Sequence, residues 1–327
     1  MISFIWPPGE PMVAGTGGSE TFTAGHVREL LRRGIQAQVV TVQQSRHDFN
    51  DLPFLTLDNP AKIAELPGTV VFVNRTYPVK TRNKAAVILH CVTPDADQRE
   101  ACKAQVAGKT IIATSIYNGQ QWALYLDLPY SRMHIVLPFA DPIYGNVVRS
   151  KPAKKIRILY AGRLHPEKGI YTVLEMMHEK EMVHNGYTTS IVVAGQHVKE
   201  GKTIARMLSG YPYARLIQPQ KTVPTMAKLL AQTDILLMPS VYAEPFGMLS
   251  IEAQHAGCRV VASNIGGLPE TNCGQLTLVE SRNPRALVTG IEQAVALGQA
   301  TKKERTTAKN NFTLTKSVDA LLTALHL

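Results

Sequence analysis

The sequence predicts an α/β protein made of two parallel-sheet domains in tandem. Three observations support this. Short β-branched runs alternate with helical stretches in both halves of the chain, and the connections between them are short. A polar, basic segment at 146–155 (NVVRSKPAKK), broken by Pro152, separates the halves and reads as a linker. The length of 327 residues suits two domains better than one or three, at roughly 100–200 residues per domain.

In the first half, residues 2–6 form an apolar run and 7–18 a turn-rich loop. A helix is expected from 19 to 33, closed by Gly34 at the usual C-terminal glycine position. Further strands are expected at 38–42, 69–74, 85–90 and 110–114, with a last one at 136–139. In the second half the strands fall at 157–161, 190–194, 216–218, 235–239 and 259–263. Helices are expected near 169–183, 199–209, 224–232 and 248–256, and the chain turns helical after Glu280. The domains expected are 1–147, a linker at 148–155, 156–300, and a helical tail at 301–327 that packs back on the first domain.

Composition excludes several classes. Hydrophobic residues at 45% and charged residues at 18% are ordinary for a soluble globular protein, and the chain is long enough for two full cores. No apolar run approaches the roughly 20 residues that span a bilayer. The start, Met1-Ile2-Ser3-Phe4-Ile5-Trp6-Pro7-Pro8, has no basic region and too short an apolar stretch for a signal peptide, so a cytoplasmic location is expected. Cys91, Cys102, Cys258 and Cys273 form no CxxC pair and have no histidines at zinc spacing; they read as free, mostly buried thiols in a reducing compartment. Residues 1–150 carry 14 Lys+Arg against 12 Asp+Glu, and residues 151–327 carry 21 against 13, so the excess of +10 lies mostly in the second half. With no RNP, KH or zinc-finger signature and only 6% aromatics, a small anion fits that charge as well as nucleic acid does.

Four segments carry chemistry. Gly15-Thr16-Gly17-Gly18-Ser19-Glu20 lies between the first strand and first helix, where glycine backbone and helix N–H groups can approach an anion. Glu20 stands where a dinucleotide fingerprint needs glycine, and no acidic residue ends the strand near position 40, so dinucleotide binding is disfavoured; a plain βα turn is the alternative. In Gly162-Arg163-Leu164-His165-Pro166-Glu167-Lys168-Gly169, two basic side chains follow a strand, at the end where open α/β sheets bind ligands. Arg163 can fork onto phosphate oxygens and Lys168 can act as a point charge; two solvated cations are the alternative. In Glu244-Pro245-Phe246-Gly247-Met248-Leu249-Ser250-Ile251-Glu252, Glu244 sits in the loop after a strand and Glu252 one turn into an otherwise apolar helix. A carboxylate there needs a partner, either ribose hydroxyls or a buried cation. Finally, Gly266-Gly267-Leu268-Pro269-Glu270 again places a glycine turn and an acid after a strand.

Together these segments resemble glycosyltransferase family 4, the retaining GT-B enzymes, whose hallmarks are GR-x4-KG, E-x7-E with EPFG, and GG-x-PE. All three stand here in order, at 162–169, 244–252 and 266–270, and GG-S-E at 17–20 matches as well. The resemblance implies a GT-B fold, two Rossmann-like domains facing a cleft. It also implies a retaining, metal-independent transfer of a hexose-type sugar from a nucleotide-diphosphate donor. Arg163 and Lys168 would hold the diphosphate, Glu252 the ribose, and Glu244 the transferred sugar. The amides of Phe246, Gly247, Met248 and Leu249 would cap the distal phosphate, with Gly17 and Gly18 approaching from the first domain. His90, at a strand end, lies where the family has its active-site histidine.

The chain departs from the pattern at Pro138-Phe139-Ala140-Asp141, where PNG-[VI]-D is usual, and at Leu216-Ile217-Gln218-Pro219, where FLG is common near the base pocket. The expected partners are a nucleotide sugar and an unidentified acceptor, with no nucleic acid and no cofactor. A non-catalytic sugar-nucleotide binder of the same fold is the alternative. Asp95-Ala96-Asp97 matches the DxD metal motif of another transferase fold, but Thr93-Pro94-Asp95 reads as an N-cap, a first-position proline and a first-turn acid. Arg28, Arg32 and Arg33 on the first helix suit either a solvated face or a peripheral contact with the cytoplasmic membrane face.

Overall fold

The structure is a computed structural model. It describes every residue except 16, 44, 78, 152, 153, 164, 180, 181, 183–187, 195–197, 209, 212, 213, 219 and 221; for 163, 188–194, 198–201 and 205 it describes the backbone alone. The chain divides by contacts into two compact units, Met1–Phe139 with Thr313–Leu327, and Ala140–Phe312.

The first unit holds β1 (Ile2–Ile5), β2 (Ala37–Val42), β3 (Phe54–Leu57), β4 (Thr69–Val73), β5 (Ala85–Leu89), β6 (Thr110–Ala113) and β7 (Met133–Ile135). They form one sheet in the order β3-β2-β1-β4-β5-β6-β7, with every pairing parallel. Every residue of β1 and β4 is buried, and both strands are apolar but for Ser3 and Thr69, as a sheet covered on both faces requires. Helices α1 (Gly18–Arg32), α2 (Arg99–Val106) and α3 (Ile116–Leu126) belong to this unit.

The second unit holds β8 (Arg157–Arg163), β9 (Thr188–Ala194), β10 (Ala214–Ile217), β11 (Ile235–Met238), β12 (Arg259–Ser263) and β13 (Leu276–Val279), all parallel in the order β10-β9-β8-β11-β12-β13. Its helices are α4 (Pro142–Asn146), α5 (Ile170–Met176), α6 (Val198–Leu208), α7 (Val223–Ala231), α8 (Met248–His255), α9 (Pro284–Ala296) and α10 (Lys302–Asn310). The chain then returns to the first unit as α11 (Leu314–Ala324), whose Val318, Leu321 and Ala324, with the following Leu325, complete the apolar cluster around β1 and α1.

Both sheets reverse strand order once, between β1 and β4 and between β8 and β11. Loops leaving adjacent strands in opposite directions open a crevice at the carboxyl ends of those strands, where ligands bind in open α/β sheets.

Several sequence expectations need correction. The strand expected at 136–139 is instead β7 at Met133–Ile135. Val136 still bonds Ala113, but the chain then leaves the sheet to pack Phe139 against Gly25, where a side chain would meet the ring at 2.1 Å. The edge strands β3 and β13 were not expected. The segment 93–95 does not start a helix: a 3-10 turn, Ala96–Gln98, follows Asp95, and α2 begins at Arg99. The helix expected over 169–183 is Ile170–Met176, and part of the remainder lies outside the described residues. The contact division falls at Phe139/Ala140, ahead of the expected linker at 148–155, because α4 packs with α7 and α8. Within that linker, Arg149 donates to the Leu230 carbonyl at 2.9 Å and pairs with Asp234 at 3.5 Å, which ties the segment to the second unit.

Candidate functional site

The loops after β8, β11 and β12 flank the reversal point of the second sheet. β8 ends at Arg163, of which only the backbone is described, so the phosphate role expected of its guanidinium lies outside the described side chains. A 3-10 turn, Pro166–Lys168, follows and passes into α5 through Gly169 at φ 75°. A Cβ at Gly169 would stand 1.9 Å from the Pro239 carbonyl oxygen, so only glycine lets this turn lie against the end of β11. The Val241 N–H donates to the Glu167 carbonyl at 2.8 Å and joins the two loops a second time.

That docking delivers Lys168 to the loop after β11. Its Nζ lies 2.9 Å from the Tyr242 hydroxyl, 3.0 Å from Glu244 Oε1 and 4.9 Å from the centre of the Tyr242 ring. Burial alone would lower the lysine pKa, but Glu244 and Tyr242 outweigh it and hold it above its usual value, so the charge is kept at neutral pH. Glu244 is 6% exposed, and its Oε1 also accepts the Ser240 hydroxyl. Two expected donor-binding residues, Lys168 and Glu244, are therefore bonded directly to each other.

The glycine pair after β12 has a backbone reason. The Gly267 N–H donates to the Glu244 carbonyl at 2.7 Å. A Cβ at Gly266 would lie 2.5 Å from that same oxygen, and one at Gly267 would lie 2.4 Å from the Pro245 carbonyl oxygen. The GG turn thus lets the β12 loop press onto the EPFG segment. Gly247, at φ 116°, then opens α8 with no side-chain cap among the described residues. The Phe246 ring is buried and meets Phe312 edge-on at 5.5 Å. The buried Gln254 fixes the helix behind this end: it donates to the Thr271 carbonyl at 2.8 Å and accepts the Cys273 N–H at 2.8 Å.

Glu252 lies one turn into α8 and is half-buried. The Tyr144 phenol, from α4, is a neighbour that acts on its carboxylate. Burial pushes Glu252 up to about 7; the Tyr144 hydrogen bond opposes this and the nearby charge of Asp141 adds to it. Burial, with Glu252 beside it, raises the Tyr144 phenol well above its usual value, so it stays a donor.

In the first unit, Gly17 is extended at φ −165° and caps α1 without a side chain. A Cβ at Gly17 would lie 2.6 Å from Glu20 Oε2, so the Glu20 carboxylate folds back over the helix start that Gly17 and Gly18 form. Asn74, at φ 59°, closes β4, donates to Ser19 Oγ at 3.2 Å and accepts the His90 N–H at 3.0 Å. The His90 ring meets Phe22 edge-on at 4.6 Å, and its buried Nε2 has no hydrogen-bond partner among the described residues. Burial, with His26 nearby, holds His90 down to about 3. Burial likewise holds His26 to about 4, with Nδ1 at 2.8 Å from the Phe22 carbonyl and Nε2 at 3.1 Å from the Ser317 hydroxyl. Both imidazoles are neutral at neutral pH.

The arginines of α1 and its C-cap are ion-paired: Arg28 with Asp51 at 2.5 Å, Arg32 and the C-cap Arg33 with Glu29 at 2.7 and 2.8 Å, and Arg33 also with Asp319 at 2.6 Å. No helix among the described residues is long and apolar enough to cross a membrane. Cys258 and Cys273 are buried, Cys102 is partly buried and Cys91 is exposed; all four are free thiols.

Sequence reasoning missed Ser240, Tyr242, Tyr144 and Asn74. None carries a motif of its own. The one available signal was position, since Ser240 and Tyr242 fall between a strand end and Glu244.

Two doubly wound parallel sheets, each with its glycine-rich and charged loops at a reversal point, define a protein of the GT-B fold. A glycosyltransferase from Rickettsia africae superposes with a TM-score of 0.80 at 18% identity, covering 99% of this chain and 97% of that one. Anabaena Alr3699/HepE in complex with UDP-glucose superposes with a TM-score of 0.76 at 15% identity over 100% of both chains. The profile of the Glycosyl transferases group 1 family matches residues 147–313, and the chain belongs to that family. Glycogen synthase of Mycobacterium tuberculosis is 34% identical over 131 residues, 39% of this chain and 30% of that one. The chain spans about a third of the length of the curated relatives it matches first.

Proposed function

We propose that the protein transfers a hexose-type sugar from a nucleoside diphosphate donor to an acceptor hydroxyl, with retention and without a metal ion. The Lys168–Glu244 pair at the reversal point of the second sheet is the observation that carries this reading. It joins a fixed positive charge to a sugar-sized acceptor group beside the uncapped start of α8. UDP and UDP-glucose are bound by Anabaena Alr3699/HepE, which shares the fold, and that supports the choice of donor class.

In this reading Lys168 and Arg163 hold the diphosphate, and the amides of Phe246, Gly247, Met248 and Leu249 cap its distal phosphate. Glu252 takes the ribose and Glu244 the hydroxyls of the transferred sugar. Gly17 and Gly18 serve the donor from the first unit. The anomeric C–O bond breaks, the electron pair leaves with the diphosphate, and the acceptor oxygen attacks on the same face. The acceptor proton passes to the departing phosphate oxygen. Fixed cations and amides stabilise the charge growing on that oxygen more than they stabilise the ground state. His90 is held neutral, so its role is to hydrogen-bond through Nε2 rather than to deliver a proton. A cytoplasmic setting, peripheral to the membrane where the acceptor is a lipid, accords with this chemistry.

A thermal-shift series with UDP, GDP, ADP and dTDP and their hexose conjugates, with and without EDTA, tests the proposal. One diphosphate and its conjugate should raise the melting temperature equally in EDTA, because a ligand of the folded state stabilises by mass action. No shift with any of them refutes the donor assignment, and a shift lost in EDTA refutes metal independence.

A further inference from the structure

The buried carboxylate Glu244 is bonded unequally at its two oxygens. Oε1 receives the Ser240 hydroxyl and the Lys168 ammonium, the latter at 3.0 Å, while no hydrogen bond reaches Oε2 among the described residues. A carboxylate oxygen has two lone pairs, so Oε1 is saturated and Oε2 keeps its full accepting capacity. Ser240 is itself held, its carbonyl accepting the Ser281 hydroxyl at 2.9 Å in the loop after β13. On the other side, Lys168 has three N–H donors. One goes to Glu244 and one to the Tyr242 hydroxyl, leaving one for an anion.

From this geometry we infer that Ser240 and Tyr242 are positioning residues that divide the work of the Lys168–Glu244 pair: Ser240 turns Glu244 so that Oε2 alone reads a hydroxyl of the transferred sugar, and Tyr242 turns Lys168 so that its remaining N–H faces the diphosphate. The inference rests on the proposed donor. Without Ser240, Glu244 can rotate about its last torsion and offer either oxygen, so sugar recognition loosens. Without the Tyr242 hydroxyl, the ammonium can turn its donors elsewhere, so diphosphate binding weakens for nucleotides with and without a sugar. The two residues therefore fail differently, which a general loss of structure would not produce.

The test is calorimetric titration of the full chain with UDP, ADP, GDP and dTDP, each paired with its glucose and, where one exists, galactose conjugate. For the pair that wild type binds, Ser240→Ala should leave the bare diphosphate within about twofold. It should weaken the glucose conjugate about fivefold, as loss of one ordered charge-assisted hydrogen bond allows, and should narrow the glucose-to-galactose ratio. Tyr242→Phe should weaken the diphosphate and its conjugate by the same factor. In a Glu244→Gln background Ser240→Ala should have no further effect, which isolates its action through Glu244 and would survive a small loss of stability in the single variant. Equal weakening of diphosphate and conjugate by Ser240→Ala, or additivity with Glu244→Gln, overturns the inference while leaving the donor assignment standing. Failure of wild type to bind any of the pairs overturns both.

Discussion

The two units present different chemistry at the same place in similar sheets. At the carboxyl ends of the first sheet, the histidines around Phe22 are neutral and packed against rings, and Asn74 ties strand ends to the helix start through amide contacts. At the carboxyl ends of the second, a half-buried lysine pairs with a buried carboxylate between loops whose backbones touch at three glycines. Arg28, Arg32 and Arg33 pair with Asp51, Glu29 and Asp319, while the Glu20 carboxylate lies over the start of α1. The first sheet end thus carries neutral imidazoles where the second carries a preorganised ion pair, and most of the net +10 lies after residue 150.

The sharpest way to break this contrast is Lys168→Ala. It strips a buried carboxylate of its cation, and we expect a loss of about 3 kcal/mol in stability by urea denaturation. Donor turnover, followed as release of nucleoside diphosphate, should fall on the order of 100-fold, the scale set by removing one fixed charge-stabilising donor. Unchanged turnover would move the charged end of the second sheet out of the reaction.

A pH series gives the next largest effect and sets the two units against each other. His26 and His90 take up protons near 6.5 in the unfolded chain but only near 4 and 3 in the fold. Unfolding therefore binds protons below 6.5, and the first unit is fully stable above that pH and loses stability as pH falls toward 4. In the second unit His255, held near 4, has the same sign. Glu252 has the opposite sign: it keeps its proton to about 7 in the fold and only to 4.5 unfolded, so its contribution grows as pH falls through that window. Hydrogen exchange at pH 5 and pH 7, corrected for intrinsic rates, should show loss of protection in α1 and β5 exceeding that in α8. An equal loss in both would contradict the assigned protonation states. The smallest effect belongs to Arg28→Ala. Its pair with Asp51 is about half exposed on both sides, so denaturation should change by no more than about 0.5 kcal/mol and donor binding not at all.

Much of this was legible in the residues. Central strands announced themselves because burial on both faces demands continuous apolar runs, as in Val70–Val73 within β4 and the whole of β11. The edge strands did not. Phe54, Leu55 and Thr56 of β3 and all of β13 are partly exposed, so their composition is mixed and their signal weak. The strand expected at 136–139 failed for the converse reason: Val136 and Phe139 are buried, but in side-chain packing rather than in a ladder. The candidate site divides the same way. Residues whose chemistry is conspicuous, Lys168, Glu244, Glu252 and the glycines, could be read from spacing. Tyr242 and Tyr144 could not, because a tyrosine in a loop or on a short helix gains meaning only from a partner 74 residues away in one case and on another helix in the other.

The return of α11 to the first unit has a consequence for biosynthesis. Residues 140–312 are an insertion, and the chain crosses between units at two points drawn together by the bond from the Ala140 N–H to the Phe312 carbonyl at 2.9 Å. On the ribosome, the second unit is complete before Val318, Leu321, Ala324 and Leu325 have been made, yet those side chains fill the cluster that β1 and α1 begin. The segment synthesised first must therefore wait with an open apolar seam until the last of these residues leaves the exit tunnel, and any truncation before residue 318 leaves that seam unsealed.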